Sequence, residues 1–595
     1  MIRYNNRGDV PEKYKWDLTS IFENDEVFEN TYREVVKSVD KLSTYKGCTK
    51  DSNKLYEFLK LEIDTTAIVE DLYVYSYLIN DQELGIESSI VRKEKIERLL
   101  GVLSNNTSFF GPELLKLDQE EYNKLFDNTK LLEFKFNLDY IYRKKEHILS
   151  EDKEVIVNDL ITSMNHFDDI SSNLRNNEID YGNIKINNEK IRIAPNNFRS
   201  LMKNKDESIR KVVYRKFNKE LDKYGSTFAS LLNSYVSMND KLANIYNYKS
   251  SWDEKLFDYN ISDKVYKTLV KTVESNLDSL HRYYELKSKI FNKEKLNVYD
   301  LYLDMAKSDK KYSIEEAQEL VRESTKILGS DYSNKMNKIF DNRYIDYCQY
   351  KGKCAGGYSF ATINNDSRIL MSFNDDLESV STIAHEGGHN VNHQYLREFN
   401  PKQYVGNASI NAEVTSLLNE CLLSNYIVEN AKTKEEKLMG LENILGVIVS
   451  NLFGAVREGK LEEDFYKIVH KNGTITREYL DKMTKKSLKK YYGDSVKLDK
   501  YSKNGWITRS HYFMNFYLYS YAISISVASS IANKIINGDK EVLDKYIDYL
   551  KCGTDKWPED AFNVLGVNIE NENVYLDAIK YFDSLIDKYY EILGE

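Results

Sequence analysis

Proline is scarce in this sequence, and that scarcity restricts its possible folds. Only five prolines occur among 595 residues, and 30% of the residues are charged, with both signs mixed along the chain. Proline ends or kinks a helix, so a chain with so few can form long uninterrupted helices. The sequence therefore predicts a mostly α-helical protein. Its length exceeds the size at which one hydrophobic core stops growing, so we expect two or more packed units.

Hydrophobic periodicity places two hairpins between long helical stretches. Helical patterns run from Glu12 to about Asn173, and the segment EIDYGNIKINNEKIRIAPNNF then alternates with Asn and Gly turns up to Pro195. We place a domain boundary there, giving an N-terminal helical domain at 1–195 that ends in a hairpin and a second domain at 196–595. Within the second domain, GGYSFATI and RILMSF are separated by NNDS and predict another hairpin.

Charge and polarity argue against nucleic acid and membrane partners. The net charge is −10, and the lysines from Lys482 to Lys503 are spread through a helical pattern typical of a solvated face. Between Arg509 and Lys534 no residue is formally charged if histidine is neutral, but the segment is rich in serine, asparagine and tyrosine. It is too polar for a lipid-facing span and is expected to be a buried helix that lines something polar.

Cysteine usage indicates a reducing compartment. The five cysteines are scattered and never in CxxC spacing, which is typical of free thiols. The N-terminal residues MIRYNNRGDVPEKYKWD are polar and contain no apolar secretory signal. We therefore expect a cytoplasmic protein.

The segment STIAHEGGHNVNHQ indicates a metal-binding helix. We expect Asn374 or Asp375 to cap this helix. His385 and His389 are one helical turn apart, about 6 Å along the axis, so both imidazoles can reach one ion. Glu386 is offset to act on a water held by that ion. This HExxH pattern is typical of zinc, which lowers the pKa of its bound water while the carboxylate takes the proton.

Two adjacent glycines in this helix need a reason. Gly387 and Gly388 each cost about 1 kcal/mol relative to alanine inside a helix. They lie in the stripe of the helix that is expected to pack inward, where a missing Cβ lets another backbone approach closely. The glycines therefore favour a buried catalytic helix over a surface patch.

A catalytic zinc site needs a third protein ligand and one open position. His393 is rotated by about 80° from His385 and is expected to miss the metal. The metzincin pattern is excluded because Asn392 and Tyr395 stand where it needs Gly and His. Downstream, SINAEVTSLLNECLLSNYI predicts a helix with two further carboxylates on one face, Glu413 and Glu420. One can ligate zinc while the other orients an imidazole, or both can face solvent.

Five motifs together resemble a known family. They are PEKYKWDLTSIF, KGKCAGGYSF, ILMSFNDDLESVSTIAHEGGH, NAEVTSLLNE and HYFMNFYLYSYA, in an order that spans nearly the whole chain. In these motifs the sequence resembles the oligoendopeptidase F group of thimet-oligopeptidase-like (M3) zinc peptidases. The resemblance implies a mostly helical, two-part enzyme with a deep substrate channel that cleaves short peptides internally and excludes folded proteins.

The resemblance also implies roles for individual residues. His385 and His389 match the two histidine ligands of one zinc ion, Glu386 matches the general base, and Glu413 matches the third ligand. Glu420 is predicted not to bind the metal itself but to orient one of the ligand imidazoles.

Two further segments supply candidate substrate contacts. In the C-terminal motif, His511, Tyr517, Tyr519 and Tyr521 can donate hydrogen bonds to the oxyanion and hold the substrate backbone, although the tyrosines cannot all share one face. Packing is the alternative role for each tyrosine. In the strand GGYSF, Gly356, Gly357 and Tyr358 can present an exposed edge to an extended peptide.

The sequence therefore predicts a zinc metalloendopeptidase that hydrolyses internal bonds of short peptides. One alternative is a metallo-exopeptidase that trims peptide termini, which needs a charged group to capture the terminus. Another is a helical peptide-binding protein with an inactive metal site, which has no need to retain Glu386. The oligomeric state is left open.

Overall fold

Helices make up most of the protein. The computed structural model describes residues 4–594 apart from 150–152, 154–155, 158–160, 162–165, 308–309, 351 and 355. In the described ranges, the α-helices are α1 Asp25–Leu42, α2 Ser52–Gln82, α3 Glu87–Thr107, α4 Phe110–Lys116, α5 Gln119–Leu125, α6 Lys135–Tyr142, α7 Phe167–Asn173, α8 Pro195–Met202, α9 Glu207–Lys223, α10 Gly225–Ile245, α11 Ser251–Tyr259, α12 Asp263–Ser275, α13 Leu277–Ile290, α14 Ile314–Thr325, α15 Ser330–Asp341, α16 Leu377–Phe399, α17 Ser409–Asn430, α18 Lys434–Ile448, α19 Ala455–His470, α20 Arg477–Tyr492, α21 Leu518–Ile536, α22 Lys540–Tyr549, α23 Pro558–Val564 and α24 Glu572–Leu593. The prediction of a mostly helical fold is confirmed.

The strands are few and short. Those described are β1 Asn183–Ile186, β2 Glu189–Arg192, β3 Leu296–Asn297, β4 Ile345–Asp346, β5 Tyr358–Phe360, β6 Arg368–Leu370 and β7 Val496–Lys497. Both predicted hairpins form, because β1 pairs antiparallel with β2 and β5 pairs antiparallel with β6. The β1–β2 turn contains Asn187 and Asn188, both at positive φ, a backbone conformation that asparagine tolerates.

The chain folds into two compact units, each built from three separate segments. Unit 1 comprises Met1–Ile148, Lys310–Tyr426 and Lys534–Val567, and unit 2 comprises Leu149–Asp309, Ile427–Asn533 and Asn568–Glu595. The expectation of at least two packed units is confirmed. The predicted domain boundary at residue 195 is not a boundary between these units, and it stays a prediction.

In unit 1, a helical core supports a small sheet. Helices α1, α2 and α3 bury one continuous apolar cluster that includes Phe28, Phe58 and Leu72. The sheet has the order β4–β6–β5, with β4 parallel to β6, so β5 has a sheet neighbour on one side only among the described strands. The helix α16 follows the sheet after a short connection.

The N-cap of the HExxH helix lies one or two residues after the predicted caps. Asp376, rather than Asn374 or Asp375, is the N-cap, and its side chain accepts a hydrogen bond from the Ser379 backbone amide at 2.9 Å. Asp375 adopts a positive φ of 59° and belongs to the turn before the helix. A carboxylate at the cap satisfies one of the free amides of the first turn.

In unit 2, the uncharged C-terminal segment is helical only in part. Its helix, α21, begins at Leu518, and the residues before it form short 3₁₀ turns at Ser502–Thr508 and Ser510–Phe513. Four of the α21 serines are buried, and two of these, Ser526 and Ser529, donate to carbonyls one turn earlier, which lets a polar helix pack inside protein. The expectation of a buried helix is therefore confirmed from Leu518 onward, and it is wrong for the residues before Leu518, which form turns.

A different stretch has the length and composition of a membrane span. Lys434–His470 joins α18 and α19 through a π-helical segment, Val449–Gly454, and its most apolar window has a mean hydropathy of 1.5 with 50% of its residues buried. A single half-buried helix of this kind is weak evidence for a span, since core helices have the same composition.

All five cysteines are free thiols.

Candidate metal centre

The helices α16 and α17 approach each other closely at Gly388. A Cβ on Gly388 would lie 2.7 Å from the Thr415 carbonyl oxygen and 2.8 Å from the Ser416 Cα. The prediction that this glycine admits another backbone is confirmed. Gly387 meets the flexible end of Met336 instead, at 3.2 Å. The close crossing brings Glu413 of α17 opposite the histidines of α16.

Three side chains from these two helices converge on one point. The Nε2 atoms of His385 and His389 lie 3.4 and 3.5 Å from Oε2 of Glu413. One ligand atom from each of the three residues lies within 4.8 Å of the other two. Among the described residues, this is the one group of histidine, cysteine and carboxylate side chains close enough to hold a metal ion.

The electrostatics of the cluster favour an ionised carboxylate. Burial would raise the pKa of Glu413, but hydrogen bonds from His385 and His389 outweigh it and hold that pKa well below its usual range. Burial would lower the pKa of His385, but hydrogen bonds to Glu413 and Glu420 hold it well above its usual range. The site therefore holds negative charge close to the imidazoles. A bound cation would replace the protons that the imidazoles share with the carboxylates.

Glu420 lies on the other side of the His385 ring. Its Oε1 is 2.8 Å from His385 Nδ1, and its Oε2 accepts a hydrogen bond from the Ser381 hydroxyl at 2.7 Å. A carboxylate in this position selects the imidazole tautomer with a proton on Nδ1 and leaves Nε2 free to bind a metal. Ser381 was not anticipated from the sequence, although its spacing of four residues before His385 places it on the same helix face.

Glu386 lies beside the edge strand of the sheet. Its side chain is buried, and its Oε1 is 4.0 Å from where a Cβ on Gly357 would be. Gly356 adopts a positive φ of 108°, a conformation that favours glycine. The Tyr358 hydroxyl donates to Asp81 of α2 at 2.9 Å, so this side chain anchors the strand.

Buried amides, which sequence reasoning missed, fix the position of α16. Asn419 donates to the Ala384 carbonyl at 3.1 Å and accepts from the Tyr332 hydroxyl at 2.8 Å. Asn390 donates to the Ser367 carbonyl at 2.8 Å. Buried amides must find partners, so asparagines inside an apolar helix pattern were the available signal. His393 is 2.9 Å from the Thr362 carbonyl oxygen and is not part of the cluster.

The four C-terminal candidates belong to unit 2. The rings of His511, Tyr517 and Tyr521 form one aromatic group, with centroid distances of 6.4, 5.8 and 5.3 Å. Burial and the positive charge of Arg509 lower the pKa of His511. Tyr519 is buried, and its ring packs against Trp252 at 5.4 Å, a position that favours packing over substrate contact. The predicted roles of all four residues stay predictions.

Comparison with known proteins places the chain in a family. The model of peptidase family M3 matches residues 200–581, which is more than half of the chain, and the model described as Oligopeptidase F matches residues 113–181. Group B oligopeptidase PepB of Streptococcus agalactiae is 28% identical over 96% of both chains. An oligoendopeptidase F homolog of Borreliella burgdorferi is 29% identical over 98% of this chain and 99% of its own.

Solved structures agree in fold. A structure from Chlamydophila abortus superposes with a TM-score of 0.87 at 24% identity and covers 99% of this chain and 100% of its own. Oligoendopeptidase-F from Enterococcus faecium superposes with a TM-score of 0.73 at 24% identity, over 96% of this chain and all of its own. The resemblance seen in the five motifs is therefore confirmed, and the chain belongs to peptidase family M3.

Proposed function

We propose that this M3 peptidase is a zinc-dependent oligoendopeptidase, with one zinc ion held by His385, His389 and Glu413. The observation that carries the proposal is the convergence of these three side chains, with the Glu386 carboxylate on the adjoining residue of the same helix. Two imidazoles and one carboxylate form a typical donor set for a catalytic zinc site with an open fourth position. The chemistry of these residues therefore fits the metal.

The chain's own residues handle the proton. When bound, zinc supplies Lewis acidity that lowers the pKa of water and polarises a carbonyl. The Glu386 carboxylate accepts a proton from the attacking water and donates it to the nitrogen of the leaving amine. Glu420 holds the His385 proton on Nδ1 through their 2.8 Å contact, so that Nε2 keeps its lone pair for the metal.

The edge strand suggests how a peptide is held. Strand β5 pairs with β6 on one side, and Gly357, the residue just before the strand, lies beside Glu386. An extended peptide that pairs with this edge has its backbone next to the general base, and backbone pairing depends little on side chains. This supports cleavage at internal bonds with broad sequence tolerance. The printed names of the relatives, oligopeptidase and oligoendopeptidase, agree with short peptides as substrates.

The same proposal includes a location and a set of oxyanion donors. We assign a cytoplasmic location, supported by five free cysteines.

Donation to the oxyanion is assigned to His511 with Tyr517 or Tyr521, supported by the chemistry of the residues and the motif they form.

The test is digestion of an internally quenched peptide of about eight residues, blocked at both ends. We expect internal cleavage that stops with a chelator and returns with added zinc. Fragments identified by mass spectrometry separate internal cleavage from trimming of unblocked ends. A folded, zinc-loaded protein that leaves the blocked peptide intact but trims an unblocked one would favour the exopeptidase alternative. Failure to cleave either would favour a peptide-binding protein.

A matched pair of variants tests the general base. Glu386→Gln keeps size and hydrogen bonding but cannot take a proton, so turnover should fall by at least about 100-fold while zinc content is unchanged. The control is Glu398→Gln on the same helix, an exposed glutamate paired with Lys335. Full turnover by Glu386→Gln would contradict the mechanism.

A further inference from the structure

The hairpin β5–β6 pairs with β4 within its sheet and also contacts helix α2. At one end of β5, the Tyr358 hydroxyl donates to Asp81, and the backbone amide of Cys354 donates to the Asp81 carbonyl at 2.9 Å. At the other end, the ring of Phe360 packs edge-on against Tyr77 with centroids 5.6 Å apart. The N-terminal helix α2 therefore contacts the residues at both ends of the strand.

One buried carboxylate of α2 holds the loop that follows β5. Asp71 is 8% exposed. Its Oδ1 accepts hydrogen bonds from the Thr362 hydroxyl and, at 2.7 Å, from Asn365 Nδ2, and its Oδ2 accepts from Asn364 Nδ2 at 2.8 Å. The neighbouring Glu70 accepts from the Ile363 backbone amide at 3.3 Å. Four consecutive loop residues thus donate to two adjacent carboxylates of α2.

The buried Asp71 carboxylate and the conformation of the 362–365 loop stabilise each other. A buried carboxylate is costly unless donors surround it, and hydrogen bonds to a charged group are stronger than those between neutral groups. The donors to Asp71 all come from the segment 362–365, so its charge is satisfied only when this loop keeps one conformation. The same loop contacts α16 through the Thr362 carbonyl and His393. The carboxylate therefore fixes the hairpin against both helices.

We propose that Asp71 is a positioning residue for substrate, which holds strand β5 in the place where a peptide backbone pairs with it beside Glu386. The inference rests on the proposed function and extends it, because it assigns a role in substrate binding to the N-terminal helix α2. Asp71 lies on a different helix from the metal cluster and contacts neither a ligand nor Glu386 in the described contacts. Its removal should therefore weaken peptide binding without loss of the metal.

The test compares Asp71→Asn with the wild type and with Asp64→Asn, a control on the same helix. An asparagine at 71 offers one acceptor oxygen and turns an amide group towards the loop donors, so the loop should shift. We expect KM for the blocked peptide to rise about tenfold, with kcat within about twofold. Zinc affinity, measured by competition with a chromophoric chelator, should be unchanged. Asp64 is 53% exposed and pairs with Lys402 at 2.7 Å, and its variant should match the wild type.

A second variant guards against misfolding. Thr362→Val removes a single donor and keeps the shape of the side chain, so KM should rise in the same direction but by less. Hydrogen exchange of the β5 amides should quicken in both variants. An unchanged KM in Asp71→Asn would overturn the inference. A rise in KM accompanied by a fall in both kcat and zinc affinity would also overturn it. If the wild type itself leaves all peptides intact, the proposed function fails first and the inference falls with it.

Discussion

Two glutamates in this protein, one half-buried and one fully buried, have opposite electrostatic environments. In unit 1, Glu413 receives hydrogen bonds from two imidazoles, and its pKa is held well below the usual range. In unit 2, Glu462 on α19 is 1% exposed, and burial raises its pKa to about 8. Its Oε1 accepts from the Phe516 backbone amide at 2.7 Å, while its Oε2 has no hydrogen-bond partner among the described residues.

The difference shows that donors, rather than burial, decide the charge of an internal carboxylate. Both groups are withdrawn from water, which disfavours the ionised form. Glu413 accepts hydrogen bonds from two imidazoles that compensate for its burial, whereas Glu462 accepts one backbone amide, lies near the rings of Tyr466 and Tyr519, and gains only a smaller attraction from Lys255. We expect Glu413 to act as an anionic ligand and Glu462 to be neutral over much of the physiological pH range.

The largest effect should come from Glu413→Gln. The amide keeps the volume but removes the negative charge and one strong metal ligand, so zinc affinity should fall about a thousandfold, roughly 4 kcal/mol. Peptidase activity at limiting zinc should fall with it. Competition with a chromophoric chelator measures the affinity. An affinity equal to that of the wild type would show that Glu413 is not a ligand and would remove the contrast with Glu462.

Gly388→Ala should disturb the position of Glu413 without touching its chemistry. The new Cβ would overlap the Thr415 carbonyl and the Ser416 backbone, so α16 and α17 must separate, at a cost of about 3 kcal/mol. Thermal unfolding and zinc affinity should both report the change. Gly387→Ala is the matched control, since its Cβ meets only a flexible methionine end. Equal stability of the two variants would contradict this account of the helix crossing.

Glu420→Gln should give an intermediate result in the same site. The amide can still contact His385 Nδ1, but it no longer attracts the Nδ1 proton, so the neutral tautomer is less well held. We expect zinc affinity to fall by about 10- to 100-fold with little change in thermal stability. A loss as large as that of Glu413→Gln would instead make Glu420 a direct ligand.

Glu462→Gln should leave zinc binding intact and change the pH dependence of stability. Because the folded pKa lies near 8 and the ordinary pKa of a glutamate is 4.5, the folded state holds a proton that the unfolded state has lost between these pH values. Wild-type stability should therefore decrease as pH rises from about 4.5 to 8, by at most a few kcal/mol. The glutamine variant lacks this term, so its advantage in melting temperature should be largest at pH 8 and small at pH 5. A constant difference across that range would contradict the raised pKa.

Much of this fold could be predicted from local patterns. The helical class, both hairpins and the glycine contact in α16 follow from proline scarcity, alternation and the cost of glycine in a helix. The predicted caps of α16 were wrong by one or two residues, because Asn374, Asp375 and Asp376 are all cap-forming types and only the backbone selects among them. The helix predicted for the uncharged segment was too long, since the turn Ser510–Phe513 that precedes α21 contains no proline or glycine to signal it.

The sequence by itself determined the ligand candidates of the metal centre, because residues one turn apart on a helix must face the same way. Only the tertiary structure decided which acidic residue meets them, since Glu413 and Glu420 share a helix and a face. It placed Glu413 against the two Nε2 atoms and Glu420 against Nδ1 of His385. The contact between Asp71 and the 362–365 loop was likewise invisible in the sequence. Nearly three hundred positions separate the two, and no local pattern encodes a contact at that separation.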